Sequence, residues 1–354
     1  MSTSSEAWTP PPQGGRGLRL AVVGLGSIGR RHLRLLRALA PAADLTAGRI
    51  LGQAPLDPEI AALADRVVTG LEPLLDLAPQ AAVVATPAPD HLPTGMALAR
   101  AGAHLLVEKP LAAEPGPARE LVAACRQAGR LLLVGYNLRY HPAIRRLRQS
   151  LAAGDIGRLL SLRAEVGQDL RQWRPGSDPR LGVSARPELG GGALLELSHE
   201  LDLARWLGGA VALVSARLAR LGELGLAVED LAELWLEYAA GHLGSVHLDM
   251  VAQPSRRGLR LVGSAGSLEW EAGINRLRLH QGGGAEAWRE LLPAAPLERD
   301  ETYRRQLCHF LACLRGEAQP EVDGTQGLAA LGLVDAARRS HAQGRALAPL
   351  DQDA

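Results

Sequence analysis

A single lysine, Lys109, stands in a chain whose other 38 lysine-or-arginine positions are all arginine. Asparagine occurs twice (Asn137, Asn275) and phenylalanine once (Phe310), while Ala, Leu, Gly and Arg abound, a composition that reads as a high-GC coding bias. Under such a bias a generic cation becomes arginine. A retained lysine then marks a position where only a compact ammonium with rotatable donors and a tunable pKa will serve. It lies in Glu108-Lys109-Pro110. The second chemical signal is Gly24-Leu25-Gly26-Ser27-Ile28-Gly29. There Gly24 permits a tight turn, Gly26 lets the backbone approach a pyrophosphate, and Gly29 lets a helix pack closely on a strand. The helix start offers free N–H groups and a positive dipole end to phosphates, with Ser27 and Ile28 in its first turn. Dinucleotide binding is the reading; S-adenosylmethionine, which also uses glycine-rich strand–helix turns, is the alternative.

An acidic residue about 20 positions after the turn would bind the ribose hydroxyls of NAD. Thr46 to Gln53 (TAGRILGQ) holds no acid, and Arg49 sits about where the acid would be. A guanidinium there pairs with a 2′-phosphate, which favours NADP slightly over NAD within NAD(P).

The elements around these residues fit the motif. Leu18 to Val23 is a strand-length apolar run, and Arg30 to Leu39 carries apolar residues at helical spacing. A second strand is predicted over Leu45 to Leu51, with helical stretches at Ala61 to Ala64 and Leu71 to Leu77. Strands follow at Ala81 to Ala85, His104 to Val107 and Leu131 to Val134, with helices at Leu92 to Ala101 and Gly116 to Ala128. Apolar strands alternating with helices predict a parallel sheet covered on both faces. From Gly157 the pattern becomes strand-like alternation: Leu159 to Val166, Val211 to Leu218, Asp230 to Tyr238, Gly244 to Val251, Leu259 to Val262, Leu268 to Glu271 and Arg276 to His280. One helix is inserted (Gly192 to Leu207) and two close the chain (Glu301 to Arg315, Thr325 to Gln343). The expected class is α/β: a Rossmann domain over 18–154, preceded by a loose tail (1–17), and an α+β domain over 155–345. That second domain is built on an open, mostly antiparallel sheet, and its last helices are candidates to pack back on the first.

With 354 residues, 47% hydrophobic and 22% charged, the chain is long enough for two cores and is not a disordered composition. A formal charge of +1 gives no reason to expect nucleic acid or an anionic membrane as partner. No apolar run reaches a membrane span. Cys125, Cys308 and Cys313 lack metal-ligand spacing and read as buried thiols of a cytoplasmic protein, and no metal site is expected.

Thr86-Pro87, His91 and Glu108-Lys109-Pro110, taken with Gly24-x-Gly26-x-x-Gly29, form a pattern that resembles the glucose–fructose oxidoreductase / inositol dehydrogenase / MocA (Gfo/Idh/MocA) family. The resemblance continues through Gly135-Tyr136-Asn137-x-Arg139, Gly190-Gly191-Gly192 and His199-x-x-Asp202. It implies a Rossmann domain, a C-terminal α/β domain with an open sheet, and NAD(P)-dependent hydride transfer at a sugar, cyclitol or related alcohol carbon. It also implies a homodimer or homotetramer built on the sheet face. Carried over residue by residue, Lys109 matches the catalytic lysine and His199 the catalytic histidine. The family usually has an acid four residues before the histidine; here that position is Leu195, and Glu196 lies three before. Asp202 matches an acid three after. Thr86, Pro87, His91, Glu108 and Asn137 fall to the cofactor, and Arg139 to the substrate.

The chemistry is consistent with these residue types. Oxidising an alcohol needs a base near neutral pH, which suits His199, and a donor to the reacting oxygen, which suits Lys109. Asp202 or Glu196 would orient the pair. Between them and the second domain's first strand, Gln168 to Arg186 (QDLRQWRPGSDPRLGVSAR) is irregular and arginine-rich. Arg171, Arg174, Arg180 and Arg186 would clamp a carboxylate or phosphate, and Trp173 would stack on a ring. Arg145, Arg146 and Arg148 read as a solvated helix face. The rivals to a sugar dehydrogenase are an imine or unusual-carbonyl reductase with the same cofactor geometry, and a non-catalytic dinucleotide sensor. A sensor needs neither Lys109 nor His199.

Overall fold

The computed structural model describes residues 17–50, 56–173, 176, 178–282 and 288–350. Its first sheet is parallel: β1 (Arg19–Val23), β2 (Asp44–Arg49), β3 (Arg66–Thr69), β4 (Ala81–Val84), β5 (His104–Val107) and β6 (Leu132–Val134), in the order β3-β2-β1-β4-β5-β6. The strands are apolar because helices cover both faces, and Ala21 to Val23, Ala81 to Val84 and Leu105 to Val107 are buried. The covering helices are α1 (Ser27–Leu39), α2 (Pro58–Ala61), α3 (Leu71–Asp76), α4 (His91–Arg100) and α5 (Pro115–Gln127). The order reverses between β1 and β4, so a crevice opens at their C-terminal ends. Strand β3 carries no sequence signal because it is an edge strand with largely exposed side chains. The predicted end of β2 at Leu51 lies outside the described residues.

After α6 (Pro142–Ala152) comes a sheet of eight strands: β7 (Leu159–Gly167), β8 (Val211–Ala219), β9 (Leu231–Tyr238), β10 (Leu243–Asp249), β11 (Arg256–Gly263), β12 (Gly266–Glu271), β13 (Arg276–Gln281) and β14 (Trp288–Leu292). All neighbours run antiparallel except β7 and β10, which are parallel. Alternate residues of β9 (Ala232, Leu234, Leu236, Tyr238) are buried and the others face away, the signature of a sheet covered on one side.

The helix predicted over Gly192 to Leu207 is two: α7 (Ala193–Glu196) and α8 (His199–Gly208), separated by Leu197 and Ser198. The break places His199 at a helix start. The closing helices are α9 (Glu301–Leu314) and α10 (Gly324–Gln343). Leu307, Phe310, Leu311 and Cys313 of α9 join the core made by Leu33, Leu36 and Leu45 of the first sheet's layer. Helix α10 packs on α5, β6, α8 and β8, so the chain's end ties both sheets together. All three cysteines are free and buried, and burial pushes each thiol up to about 11. The arginines of α6 are not merely solvated. Arg145 pairs with Glu321 at 2.9 Å, and Arg148 lies 4.2 Å from the centre of the Trp206 ring.

Candidate active site

A cleft of about 500 Å³ opens at the ends of β1, β2, β4 and β5. The glycine turn forms its floor. Gly24 adopts φ +88°, and a Cβ there would lie 2.7 Å from the backbone of Ala85 and Thr86. A Cβ on Gly29 would come within 1.8 Å of the Gly24 carbonyl, so helix and strand touch only because both are glycine. A Cβ on Gly26 would meet nothing within 4 Å, because Gly26 faces open cleft. Gly26 is also the N-cap of α1, with no side-chain cap and no acid in the first turn. The first-turn amides, Ser27 and Ile28 included, are thus left for an anionic ligand. Arg49, at the end of β2, lines the same cleft, as do Thr86 and Pro87 after β4. The Thr86 hydroxyl is buried without a partner. A floor open only at Gly26, an uncapped helix start and this orphaned hydroxyl fit a dinucleotide.

The far wall is made by Glu108, Lys109, Ser184 and Glu196. The Lys109 ammonium donates to the Glu196 carbonyl at 2.8 Å, and the Lys109–Pro110 bond is cis. The Ser184 hydroxyl donates to the Glu196 carboxylate at 3.1 Å. Glu196 therefore faces the cleft, whereas Leu195, at the position of the family's usual acid, is wholly in the core. His199 begins α8 three residues on, its ring set edge-on against Tyr136 at 5.6 Å. Its Nδ1 is buried with no partner. Burial, then the charges of Lys109 and Arg257, hold this imidazole well below its ordinary pKa. It is neutral at neutral pH.

His199 is buried next to this wall and is not itself among the residues that line the cleft; the structure separates other candidates from both. Asp202 does not line the cleft. It takes Arg139 in a bidentate pair (2.8 Å from Nε, 2.5 Å from Nη2), and Arg139 also reaches Gln326. Arg139 is 1% exposed, so no substrate can meet it. Both residues are corrected from site groups to a clamp that joins α8, α10 and the segment after β6. His91 is corrected likewise. Its ring lies between the carbonyls of Thr86 (2.8 Å) and Pro110 (3.0 Å), which staples the two cleft-forming loops from behind. Asn137 donates to the Thr302 hydroxyl at 2.8 Å and is buried away from the cleft.

The described arginines of the arginine-rich segment are held by their own neighbours. Arg171, Arg180 and Arg186 each pair with an acid two residues away (Asp169, Asp178, Glu188) at 2.6–2.7 Å. Trp173 donates to the Gln168 carbonyl and lines a second cavity of about 360 Å³, which adjoins the cleft at Ser184. Arg174 lies outside the described residues. No cluster of metal-ligating side chains occurs among the described residues.

Sequence reasoning passed over His32, whose Nε2 lies 2.6 Å from the Glu108 carboxylate. A signal existed. With Gly29, Leu33 and Leu36 it occupies the buried stripe of α1, where a polar side chain needs a partner. It also passed over Glu200, buried beside His199 and paired with Arg257 at 2.8 Å.

Comparison with known proteins agrees with this geometry. Residues 18–136 match the oxidoreductase family with an NAD-binding Rossmann fold, and residues 144–269 match the GFO/IDH/MocA C-terminal domain. The 1,5-anhydro-D-fructose reductase of Ensifer adhaerens is 30% identical over 79% of this chain and 83% of its own. The chain belongs to the Gfo/Idh/MocA family. It is an NAD(P)-dependent oxidoreductase acting on CH–OH groups. The D-apiose dehydrogenase of Paraburkholderia graminis is 28% identical, with 92% of this chain and 88% of that one covered. Among solved structures, the WlbA dehydrogenase from Bordetella pertussis, in complex with NADH and UDP-GlcNAcA, is 26% identical with a TM-score of 0.79. The match covers 97% of this chain and 100% of that one.

Proposed function

We propose that this protein moves a hydride between the nicotinamide of NAD(P) and a hydroxyl or keto carbon of a sugar, cyclitol or sugar-acid-like molecule, with Lys109 and His199 as the reacting pair. One observation carries the reading. The chain's only lysine ammonium bonds the Glu196 carbonyl in the cleft wall three residues before His199. NAD(P), when bound, would supply the hydride donor or acceptor. Lys109 is placed to donate a hydrogen bond to the substrate oxygen, stabilising negative charge as the alcohol loses its proton. His199, neutral because it is buried beside cations, has a lone pair ready for that proton. In the reverse direction the same imidazolium is a strong acid. Glu196 orients the wall through Ser184 and its own carbonyl. The names of the relatives, an anhydrofructose reductase and an apiose dehydrogenase, support a polyol substrate.

Arg49 lines the cleft, which supports a contact to a 2′-phosphate and a slight preference for NADP. The pairing of Arg171, Arg180 and Arg186 with neighbouring acids gives no support to an anion clamp for an acidic sugar. The first domain (18–154) holds the cofactor, and the second (155–345) supplies His199 and a sheet face for self-association into a homodimer or homotetramer. Trp235 and Leu243, 62% and 56% exposed on that face, support this reading. No helix among the described residues is long and apolar enough to cross a membrane, and a cytoplasmic location is part of the reading.

Thermal shift with NAD, NADP and S-adenosylmethionine, followed by a polyol screen read by reduced-nicotinamide absorbance, tests it. The expected result is stabilisation by NAD(P) alone and turnover of at least one polyol. Stabilisation without turnover of any polyol or sugar acid would leave a dinucleotide sensor instead.

A further inference from the structure

His32 sits on α1, in the second turn after the glycine motif, and is fully buried. Its Nε2 meets Glu108 Oε1 at 2.6 Å, and the other carboxylate oxygen, Oε2, accepts the Lys109 backbone amide at 3.1 Å. His32 Nδ1 has no partner, so Nε2 is the nitrogen that donates to the carboxylate. The assembly is enclosed. Tyr303 of α9 meets the His32 ring edge-on at 5.8 Å, and Arg31 stacks on Tyr303 while pairing with Asp300. A Cβ on Gly135 would come within 2.7 Å of Glu108 Oε2, so the opposite side has no slack.

We propose that His32 is a positioning residue for Lys109, acting through Glu108, which locks the ammonium to the helix that receives the dinucleotide. The inference rests on the role proposed for Lys109 above. The physical reason is the geometry of a carboxylate with both oxygens committed. One is held by α1 and the other holds the main chain of the residue that carries the ammonium. Burial alone would push the Glu108 carboxyl up, but the His32 hydrogen bond and the neighbouring charges hold it below its ordinary range. Removal of the Nε2 donor leaves a buried carboxylate short of a partner, and it must rotate or take up a proton. Either response releases the Lys109 amide and shifts the ammonium relative to the cleft.

The test uses the full chain, in which Lys109 is the only lysine. Acylation by acetic anhydride, read by mass spectrometry of the Lys109 peptide, reports that one side-chain ammonium without needing a substrate. His32→Phe keeps the ring and removes the donor, while His32→Gln keeps a donor at a similar reach. The expected result is severalfold faster acylation of Lys109 in His32→Phe than in the parent, and near-parent rates in His32→Gln. With the polyol found by the screen, kcat of His32→Phe falls by about 100-fold while KM for NAD(P) changes little. Equal acylation in all three proteins, or a Gln variant no better than Phe, would overturn the proposal. If His32→Phe does not fold, Glu108→Gln gives the same reading, since it removes the charge but keeps the shape. Lys109→Ala separates the two inferences. A Lys109→Ala protein that still turns over defeats the role of Lys109, whereas an inactive one beside a fully active His32→Phe defeats only the role of His32.

Discussion

Two buried ionic clusters, each containing residues the sequence marks as site candidates, differ in one physical respect. The Arg139–Asp202 cluster is saturated: two bonds between guanidinium and carboxylate, a third to Gln326, and the Trp206 ring 5.2 Å from the guanidinium carbon. The cluster of Lys109, Glu108, His32 and His199 is not. Nδ1 of both histidines is buried without a partner, and Lys109 and Glu108 line the cleft. A saturated cluster fixes helices to one another. An unsaturated one beside a cleft stores interactions for something that arrives later, and buried groups left unpaired are uncommon enough to point at chemistry.

The sharpest way to break this distinction is to remove one member of each. Lys109→Ala should lower kcat by about 10²–10³-fold, the cost of losing a donor to a developing oxyanion, with little change in NAD(P) affinity by fluorescence titration. Weak cofactor binding with normal turnover would place Lys109 in the wrong cluster. Asp202→Ala should behave oppositely. It leaves Arg139 buried and unpaired, so urea unfolding should show a loss of about 3–5 kcal/mol, while the folded fraction keeps its kcat. Replacing the pair together, Arg139→Met with Asp202→Leu, should recover much of that stability. A collapse of kcat in the folded double variant would return the clamp to the site.

This difference also shows how far the sequence can be read. The parallel sheet was legible from β1, β4 and β5 because continuous apolar runs between glycine-punctuated helices have few other uses. The second sheet was legible from alternation such as that of β9. Strand β3 was not, since an exposed edge of Arg-Val-Val-Thr looks like any loop. Nor was the break at Leu197–Ser198, where local propensity favours one helix and only packing against neighbouring elements decides otherwise. Lys109 stood out by being alone of its kind. Arg139 and Asp202 stood out equally, by lying next to motif residues, and were misread because their partnership spans 63 positions of sequence. Single-residue signals survive in one dimension; saturation is a property of pairs and does not.

The cofactor end offers a further test. Arg49 lines the cleft at the end of β2, and a charge-assisted hydrogen bond from it to a 2′-phosphate would be worth about 1.5–3 kcal/mol, or roughly 10–100-fold in affinity. Arg49→Ala should weaken NADP by that much and NAD far less. Equal losses by isothermal titration would remove the 2′-phosphate assignment and leave the glycine floor as the whole of the recognition.

The pH dependence sharpens the contrast in another way. His199 is depressed by burial first and by Lys109 and Arg257 after it. Its unfolded pKa is about 6.5, so below that value the unfolded chain binds a proton the folded one refuses. Stability is therefore lost as pH falls from about 6.5 toward the folded pKa, and is unaffected above it. His141, which burial followed by Arg257 and Arg305 depresses to about 4, adds to the same slope, so stability alone does not isolate His199. The kinetics do. The acid limb of kcat for alcohol oxidation should lie clearly below 6.5, and a limb at or above 6.5 would mean that the base is some group other than this imidazole.

The smallest effect belongs to the described arginines of the arginine-rich segment, each paired with an acid two residues away. Arg186 pairs with Glu188 at the surface, and neither lines the cleft. Exposed pairs of this kind contribute little and are screened by salt, so Arg186→Ala should leave both the melting temperature and the KM for a neutral or acidic polyol at the parent's values. The acidic substrate is the informative arm. Glu188 competes for the guanidinium from two residues away, at no cost in translational freedom. A dissolved carboxylate must displace it at a position outside the cleft. A raised KM confined to the acidic substrate would show that the pair opens to admit it, and would add an anion contact to a wall that now owes its charge to Lys109.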